Sequence, residues 1–194
     1  MRSGDPDAFG SPYRLLSTAV TPRPIAWVSS RGPAGENLAP YSFYTVAAVD
    51  PPTLLFAPVA TAAAPKDTLA NAVATEAFVV NVVTRDLVEE MNASSATLEP
   101  EESEFDHAGV TPVEAVHVDA PRVAEASVSM ECHLTEAIEI GGSTVVVGEV
   151  VYAHVDDDVL ADGKIDIDRL ETVGRLAGNR YASTEDRFTI ERPP

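Results

Sequence analysis

Lysine is scarce in this sequence. Only Lys66 and Lys164 are present, and the other 11 of the 13 basic residues are arginines, against 31 acidic residues. The formal net charge at neutral pH is -18. A surface this negative repels nucleic-acid phosphates and anionic lipids, so we expect neither as a partner. Carboxylates are so common here that a pair of them is weak evidence for acid–base chemistry.

An acid-rich, lysine-poor composition predicts a halophilic protein, and we expect a haloarchaeal source. Charge repulsion in such a chain is screened to a few ångströms at molar salt. We therefore expect thermal melts to show a higher Tm in about 2 M salt than in dilute buffer, because screening is nearly complete there. An equal or higher Tm in dilute buffer would contradict the prediction.

Cysteine is nearly absent, and long apolar runs are missing. Cys132 is the single cysteine, which excludes an internal disulfide, and we interpret it as a buried residue of a strand rather than a redox thiol. No apolar run approaches the ~18 residues that span a bilayer. The first ten residues, MRSGDPDAFG, lack the apolar segment of a signal peptide. We expect one cytoplasmic domain over residues 1–194, without a membrane partner.

Several catalytic and cofactor motifs are also missing. The chain has neither the Gly-x-Gly-x-x-Gly dinucleotide loop nor the lysine-containing phosphate loop, and no Gly-x-Ser-x-Gly elbow. Its histidines show no short metal-ligand spacing; they are His107, His117, His133 and His154. We therefore predict no metal site and name no catalytic side chain.

Strand-forming runs dominate what is present. The runs PIAWVSS (24–30), TLLFAPV (53–59) and FVVNVVT (78–84) predict strands, as do two long runs on either side of Gly141 and Gly142, which predict a hairpin. RGPAGE (31–36) predicts a turn, and the segment 37–49 is expected to be extended, with Pro40 at a bend or an edge.

Helical signals are shorter and lie between the strands. KDTLANAVATEA (66–77) predicts a helix with Asp67 or Thr68 near its cap, and 85–95 predicts a short amphipathic helix. We expect 96–120 to be irregular and 167–183 to contain a short helix and a loop. The pattern predicts a mainly β fold with inserted helices, antiparallel pairing and a closed or partly closed barrel.

A set of anion-friendly positions remains. The set consists of Arg23, Ser29, Ser30, Asn37, Ser42 and the helix start Lys66–Asp67–Thr68. A helix start offers free N–H groups to a phosphate, but the same residues also suit simple capping and turn polarity. The nearby aromatics Trp27, Tyr41, Phe43 and Tyr44 suit either a core or stacking on a planar ligand. Arg175, Arg180 and Tyr181 form a second cluster, which is equally typical of a solvated helix end.

Ordered segments across the chain resemble the flavin reductase-like, FMN-binding split-barrel family, particularly its flavoredoxin-type branch. The segments are TPRPIAWVSS, NLAPYSFY, DPPTLLFAP, KDTLANAV, FVVNVVTRDLVEEMNASS, EFDHAGVTPV, PRVAEASVSMEC and VGRLAGNRYA. The resemblance implies a six-stranded antiparallel Greek-key split β-barrel, and a homodimer with FMN at the subunit interface. Ala126, Ser127 and Ser129 depart from the family pattern. This departure bears on local strand packing and not on the flavin site.

The resemblance also assigns site residues. It implies that Ser29, Ser30, Lys66 and Thr68 hold the FMN phosphate. It implies that Asn37, Ala39 and Ser42 line the ribityl chain and ring, partly through backbone groups. Arg23, Asn81 and Arg175 are further implied candidates.

Two functions from different classes follow from this resemblance. The first is an FMN-dependent NAD(P)H oxidoreductase that reduces free flavin or another acceptor. The second is an FMN electron carrier that is reduced by a redox protein such as a ferredoxin, without NAD(P)H turnover. A pyridoxamine-phosphate-oxidase-like enzyme on a related barrel is a third alternative, and the choice between NADH and NADPH stays open.

Overall fold

The protein is described from a computed structural model, which covers residues 1–59, 66–99 and 102–193. Four α-helices lie in these ranges: α1 (Pro12–Ala19), α2 (Asp67–Thr75), α3 (Val88–Ala93) and α4 (Glu104–Ala108). Short 3-10 turns cover Pro6–Phe9, Arg85–Leu87 and Asp157–Val159. None of these described helices is long and apolar enough to cross a membrane.

Thirteen strands are described, and seven of them form the main sheet. The main-sheet strands are β1 (Ala26–Gly32), β2 (Gly35–Tyr41), β3 (Tyr44–Val49), β4 (Pro52–Phe56), β5 (Ala77–Val82), β8 (Val128–Ile140) and β9 (Ser143–Val155). Three small ribbons contain the others: β6 (Pro112–Glu114) with β7 (Pro121–Val123), β10 (Leu160–Ala161) with β11 (Lys164–Ile165), and β12 (Val173–Arg175) with β13 (Tyr181–Ser183).

The main sheet curls on itself. Its order is β2-β1-β5-β8-β9-β4-β3, with every neighbouring pair antiparallel. The two edge strands, β2 and β3, are joined by Ser42 and Phe43 alone, so their ends lie within about 11 Å. The opposite edges of the sheet therefore meet at one corner. No ladder joins β2 to β3 in the described ranges, which leaves a seam in the barrel.

The predicted strands and the long hairpin are confirmed. The turn predicted over RGPAGE is shorter than expected and consists of Pro33 and Ala34, because β1 ends at Gly32 and β2 begins at Gly35. Of the two positions expected for Pro40, a bend or an edge, the edge is confirmed, while the bend of this segment falls at Ser42 and Phe43. Pro40 lies inside β2, where an edge strand tolerates the missing N–H group. The main sheet has seven strands, so the implied count of six is not confirmed.

Two predictions of local structure are wrong. The segment 96–120 contains α4 and β6 in its described part, rather than being irregular throughout. The predicted helix in 167–183 is absent, since the described residues there form turns and the ribbon of β12 and β13. Helix α4 is only five residues long and packs Phe105 into the core, so tertiary contacts stabilise it more than its own sequence pattern does.

The barrel interior is filled by apolar side chains from five strands. Phe56 and Phe78 pack edge to face with ring centroids 5.4 Å apart. Gly148 on β9 leaves room for the Phe78 ring, because a Cβ there would lie 2.4 Å from it. Cys132 lies fully buried on β8, as predicted, and burial raises the pKa of its thiol to about 12.

Glu131 is a fully buried carboxylate that ties a loop to the barrel. It accepts hydrogen bonds from the backbone N–H groups of Val116 (2.8 Å), His117 (2.6 Å) and Val118 (3.2 Å). His154 Nε2 lies 2.6 Å from its Oε1. Burial alone raises the pKa of Glu131, but these backbone and histidine hydrogen bonds outweigh burial and hold the pKa below its usual 4.5.

Glu131→Gln is expected to lower the free energy of unfolding at pH 7 by about 2 kcal/mol, because a neutral amide replaces a charged acceptor. A carboxylate with a depressed folded-state pKa stabilises the fold above its unfolded pKa and loses this effect as the pH falls through the folded pKa. Urea melts from pH 7 to acid should therefore show the two proteins converging below about pH 4.5. A difference that stays constant with pH would contradict this role.

Candidate functional site

A cavity of about 510 Å³ opens at the barrel corner, beside the Ser42–Phe43 connection between β2 and β3. We call it the corner cavity. Its described walls come from the end of β2 and the corner, the residues after β4, the start of α2, the segment after α3, and single residues of α1 and α4. The lining residues are Tyr13, Asn37, Ala39, Pro40, Tyr41, Ser42, Phe43, Ala57, Val59, Lys66, Asp67, Thr68, Ser94, Ser95, Ala96, Thr97, Leu98 and Glu104.

Helix α2 points its N-terminus at this cavity. Lys66 is the N-cap residue, and its side chain makes no capping hydrogen bond. Asp67 and Thr68, which were expected near the cap, are the first two helical residues and follow it directly. The first N–H groups of α2, which have no partner among the described residues, share one end of the cavity with the partial positive charge of the helix start and the Lys66 ammonium. This is the arrangement that binds phosphate at helix starts.

A chain of hydrogen bonds fixes the polar wall. Tyr41 Oη donates to Thr68 Oγ1 at 2.9 Å, Thr68 Oγ1 donates to Asn37 Oδ1, and Asn37 Nδ2 donates to Glu104 Oε1 at 3.2 Å. Thr68 is 1% exposed. Burial raises the pKa of Tyr41 to about 12, which keeps its phenol protonated as a donor. Thr68 therefore faces β2 and positions Asn37, instead of capping its helix.

The pKa of Glu104 lies above its ordinary value. Burial is the main cause, and the charge of Asp67 adds to it. Hydrogen bonds from Asn37 and from backbone N–H groups lower the pKa in part. Glu104 and Asp67 thus place two carboxyl groups in the lining of the cavity.

Thr68→Val is expected to cost about 1–3 kcal/mol of folding free energy, since it leaves Tyr41 Oη and Asn37 Oδ1 without their buried partner. Thr68→Ser, which keeps the hydroxyl, should recover most of the loss. Exposed Thr97, in the same cavity, is the matched control, and Thr97→Val should stay within about 0.5 kcal/mol of wild type. Denaturant melts measure all three, and an unchanged midpoint for Thr68→Val would contradict the hydrogen-bonded chain.

The aromatic residues of the region divide between core and cavity. Trp27 is fully buried beside α3, where its Nε1 donates to Ser94 Oγ at 2.9 Å. Tyr41 and Phe43 line the corner cavity, whereas Tyr44 is half-buried against the barrel core. Two aromatic walls are therefore available to a planar ligand.

Five of the residues nominated from the sequence line the corner cavity: Asn37, Ala39, Ser42, Lys66 and Thr68. Ser29 and Ser30 do not, because both are fully buried in β1. Ser29 Oγ donates to the Pro121 carbonyl at 2.5 Å, and Ser30 Oγ accepts from Asn71 Nδ2 at 3.3 Å. The two serines thus hold neighbouring elements against β1.

Arg23 and Asn81 are likewise engaged inside the protein. The Arg23 guanidinium donates to the carbonyls of Ser17 (2.6 Å) and Val20 (2.7 Å). It reaches the edge of the cavity only from behind, with Nε 3.4 Å from Ser42 Oγ and the guanidinium carbon 5.7 Å from the centre of the Phe43 ring. Asn81 is fully buried in β5, and all of its hydrogen bonds lie within the core. Neither lines the corner cavity.

Arg175 lies in a different region. Its guanidinium donates to Tyr181 Oη and to the Gly178 carbonyl, at 2.5 and 2.6 Å. Tyr181 borders a second cavity of about 730 Å³, the tail cavity, whose other described walls are Arg85, Val88, Glu89, Asn92, Val173, Asn179, Ala182 and Ser183. The tail cavity is larger, but none of the nominated residues lines it.

Sequence reasoning missed several cavity residues. Glu104 carries no distinctive signal in the sequence, because carboxylates are common throughout the chain. The wall formed by Ser94–Leu98 was not predicted either. Ser94 is the C-cap residue of α3, the short amphipathic helix predicted from the sequence. Tyr13 lies far from the β2 residues in sequence, and only the fold brings its ring within 6.4 Å of Phe43.

Comparison with known proteins gives concordant matches. The model of the Flavin reductase like domain matches residues 18–169. An uncharacterized protein of Halalkalibacterium halodurans is 42% identical over 192 residues, which covers 93% of this chain and 90% of that protein. Nitrilotriacetate monooxygenase component B from Bacillus cereus is 34% identical with a TM-score of 0.92, covering 98% of each chain. A Shewanella frigidimarina protein with a split barrel domain is 26% identical with a TM-score of 0.75, covering 89% of this chain and 85% of that one.

Proposed function

The chain belongs to the flavin reductase-like family, and from that premise we propose that it binds FMN in the corner cavity and acts as an FMN-dependent NAD(P)H oxidoreductase. One observation supports this proposal most strongly. The start of α2, with Lys66 and Thr68, borders the same cavity as Ala39 of the edge strand β2 and Ser42 of the corner that follows it.

The phosphate end of FMN fits the α2 side of the cavity. Uncapped N–H groups and the Lys66 ammonium suit a phosphate that carries nearly two negative charges. Lysine binds phosphate as a point charge, so it needs no fixed planar geometry. Thr68 then acts mainly through Asn37, whose amide it orients beside the ligand.

The ring end fits the β2 side of the cavity. Because β2 is an edge strand, part of its backbone N–H and C=O groups face the seam and are available to a ligand. Ala39 and Ser42 border this side of the cavity beside the aromatic rings of Tyr41 and Phe43, and Ser42, which follows β2, lies outside the β1–β2 ladder. Backbone N–H groups also suit the stabilisation of negative charge on a flavin.

FMN, when bound, supplies the hydride chemistry, and the protein needs no acid or base of its own for that step. The residues of this chain bind the phosphate, orient the ring and limit access of water to it. Positioning a nicotinamide near contact distance of the flavin is then the main requirement.

Similarity to a monooxygenase component supports the enzyme over the electron carrier. Nitrilotriacetate monooxygenase component B covers 98% of this chain, and its name places it in an oxygenase system. We accordingly propose that electrons pass from NAD(P)H through FMN to free flavin or another acceptor. The electron donor is proposed to be a nicotinamide nucleotide, with a redox protein as the alternative.

We further propose a cytoplasmic homodimer with FMN at its interface. Exposed apolar residues on the sheet support a second copy as partner: Val46 and Val49 on β3, and Ile138 and Ile140 on β8. In β3, five of six residues are exposed. Light scattering in high salt measures the assembly, and a monomer in the presence of saturating FMN would contradict it.

Anaerobic reduction tests the proposed activity. The protein, purified in high salt and loaded with FMN, should lose its yellow colour quickly when NADH or NADPH is added. FMN-loaded protein that stays yellow with both nucleotides, but is bleached by a reduced ferredoxin, would establish the electron carrier instead. Failure to retain FMN under any salt condition would contradict the proposal itself.

A further inference from the structure

A second opening adjoins the corner cavity at its α2 end. It has a volume of about 460 Å³, and we call it the acidic cleft. The two openings share Asn37, Asp67, Leu98 and Glu104. A ligand that extends beyond the phosphate position at the start of α2 would therefore enter this cleft.

The acidic cleft is lined by carboxylates. They are Glu36, Asp67, Glu99, Glu102 and Glu104. No lysine or arginine is among its described lining residues. Arg31, which lies outside the cleft, pairs with Glu36 alone among these carboxylates, at 2.7 Å, and its guanidinium is shared with Glu114 and Asp119. The cleft therefore carries a negative field next to the site that is proposed to hold a phosphate.

Glu104 occupies the junction between the two openings. Its Oε1 accepts from Asn37 Nδ2 at 3.2 Å, so the hydrogen-bonded chain from Tyr41 and Thr68 ends on it. Burial is the main cause of the raised pKa of Glu104, and the nearby charge of Asp67 adds to it.

We propose that the acidic cleft makes the site select FMN over FAD, with Glu104 as a specificity-determining residue. This inference rests on the proposed function. In FMN, the phosphate charge stays at the start of α2. In FAD bound the same way, a second phosphate and the nucleoside would have to pass Glu104 into the cleft, against like charge.

Equilibrium titrations with FMN, FAD and riboflavin test the inference. We expect wild type to bind FMN roughly tenfold or more tightly than FAD at the lowest salt that keeps the protein folded, because the cleft repels the second phosphate. The ratio of the FAD dissociation constant to the FMN dissociation constant should fall in about 2 M salt, where that repulsion is screened. Glu104→Gln, which keeps an acceptor for Asn37, should narrow the ratio roughly threefold or more.

Two further variants make the test specific. The double change Glu99→Gln and Glu102→Gln alters exposed carboxylates of the cleft, so it remains informative if Glu104→Gln folds poorly. Glu185→Gln removes one exposed charge outside both openings and should leave the ratio unchanged. Equal affinity of wild type for FMN and FAD would overturn the inference. A preference that persists through these variants and in high salt would also overturn it. Binding of no flavin at all would instead remove the proposed function.

Discussion

Replacing Asn81 with alanine is expected to lower the free energy of unfolding by about 3–5 kcal/mol. Asn81 Nδ2 donates to the Trp27 carbonyl and to Ser29 Oγ, each at 3.0 Å. Its Oδ1 accepts from Val123 N–H at 3.0 Å and from Ser129 Oγ at 2.9 Å. Each buried group left without a partner costs about 1–3 kcal/mol, and the four costs are not additive.

Calorimetry in high salt measures this effect of Asn81→Ala. For a domain of this size, the loss corresponds to a fall in Tm of roughly 6–20 °C. Ser129→Ala removes one of the four hydrogen bonds and should cost about 1 kcal/mol, so it keeps the prediction testable if Asn81→Ala does not fold. Asn179 is an exposed asparagine whose side chain makes no hydrogen bond among the described residues, and Asn179→Ala is the matched control. A loss below about 1 kcal/mol for Asn81→Ala would show that the network contributes little.

Lys66→Ala is expected to weaken FMN binding by about 1–3 kcal/mol, or roughly 5- to 150-fold in Kd. The reason is the loss of the ammonium charge beside the uncapped start of α2. Lys66→Arg retains a cation and should keep much of the affinity. Fluorescence titration of each variant with FMN provides the measurement.

The chain supplies its own control for the Lys66 prediction. Lys164, the other lysine, is exposed on β11 and lines none of the described cavities discussed above, so Lys164→Ala should bind FMN as wild type does. Riboflavin lacks the phosphate, and its affinity should be nearly the same for Lys66→Ala and wild type. If Lys66→Ala weakened the binding of FMN and of riboflavin equally, or weakened the binding of neither, Lys66 would not belong to the phosphate site.

Much of the sheet could be predicted because its strands carry strong local signals. β5 is rich in valine, and the hairpin of β8 and β9 turns at Gly141 and Gly142. The split barrel followed from ordered resemblance and is confirmed by the similar structures. The seam at Ser42 and Phe43 could not be located, because it depends on how the whole sheet curls.

The site was predictable only where its residues lie close together in sequence. Lys66 and Thr68 mark a helix start, and Asn37 to Ser42 span the end of β2 and the first residue of the corner after it. The roles of polar residues inside strands were harder to assign. A buried serine such as Ser29 contacts either a ligand or another buried polar group, and the strand pattern is the same in both cases. The partners of Ser29 and Asn81 come from distant segments and are known only once the chain is folded.

The most direct measurement is a crystal structure of the protein with bound FMN. The proposal predicts the phosphate at the start of α2, within hydrogen-bond distance of the Lys66 ammonium and backbone N–H groups, with the flavin ring along β2 near Ala39 and Ser42. FMN seated instead in the tail cavity beside Tyr181, or a phosphate far from α2, would contradict it.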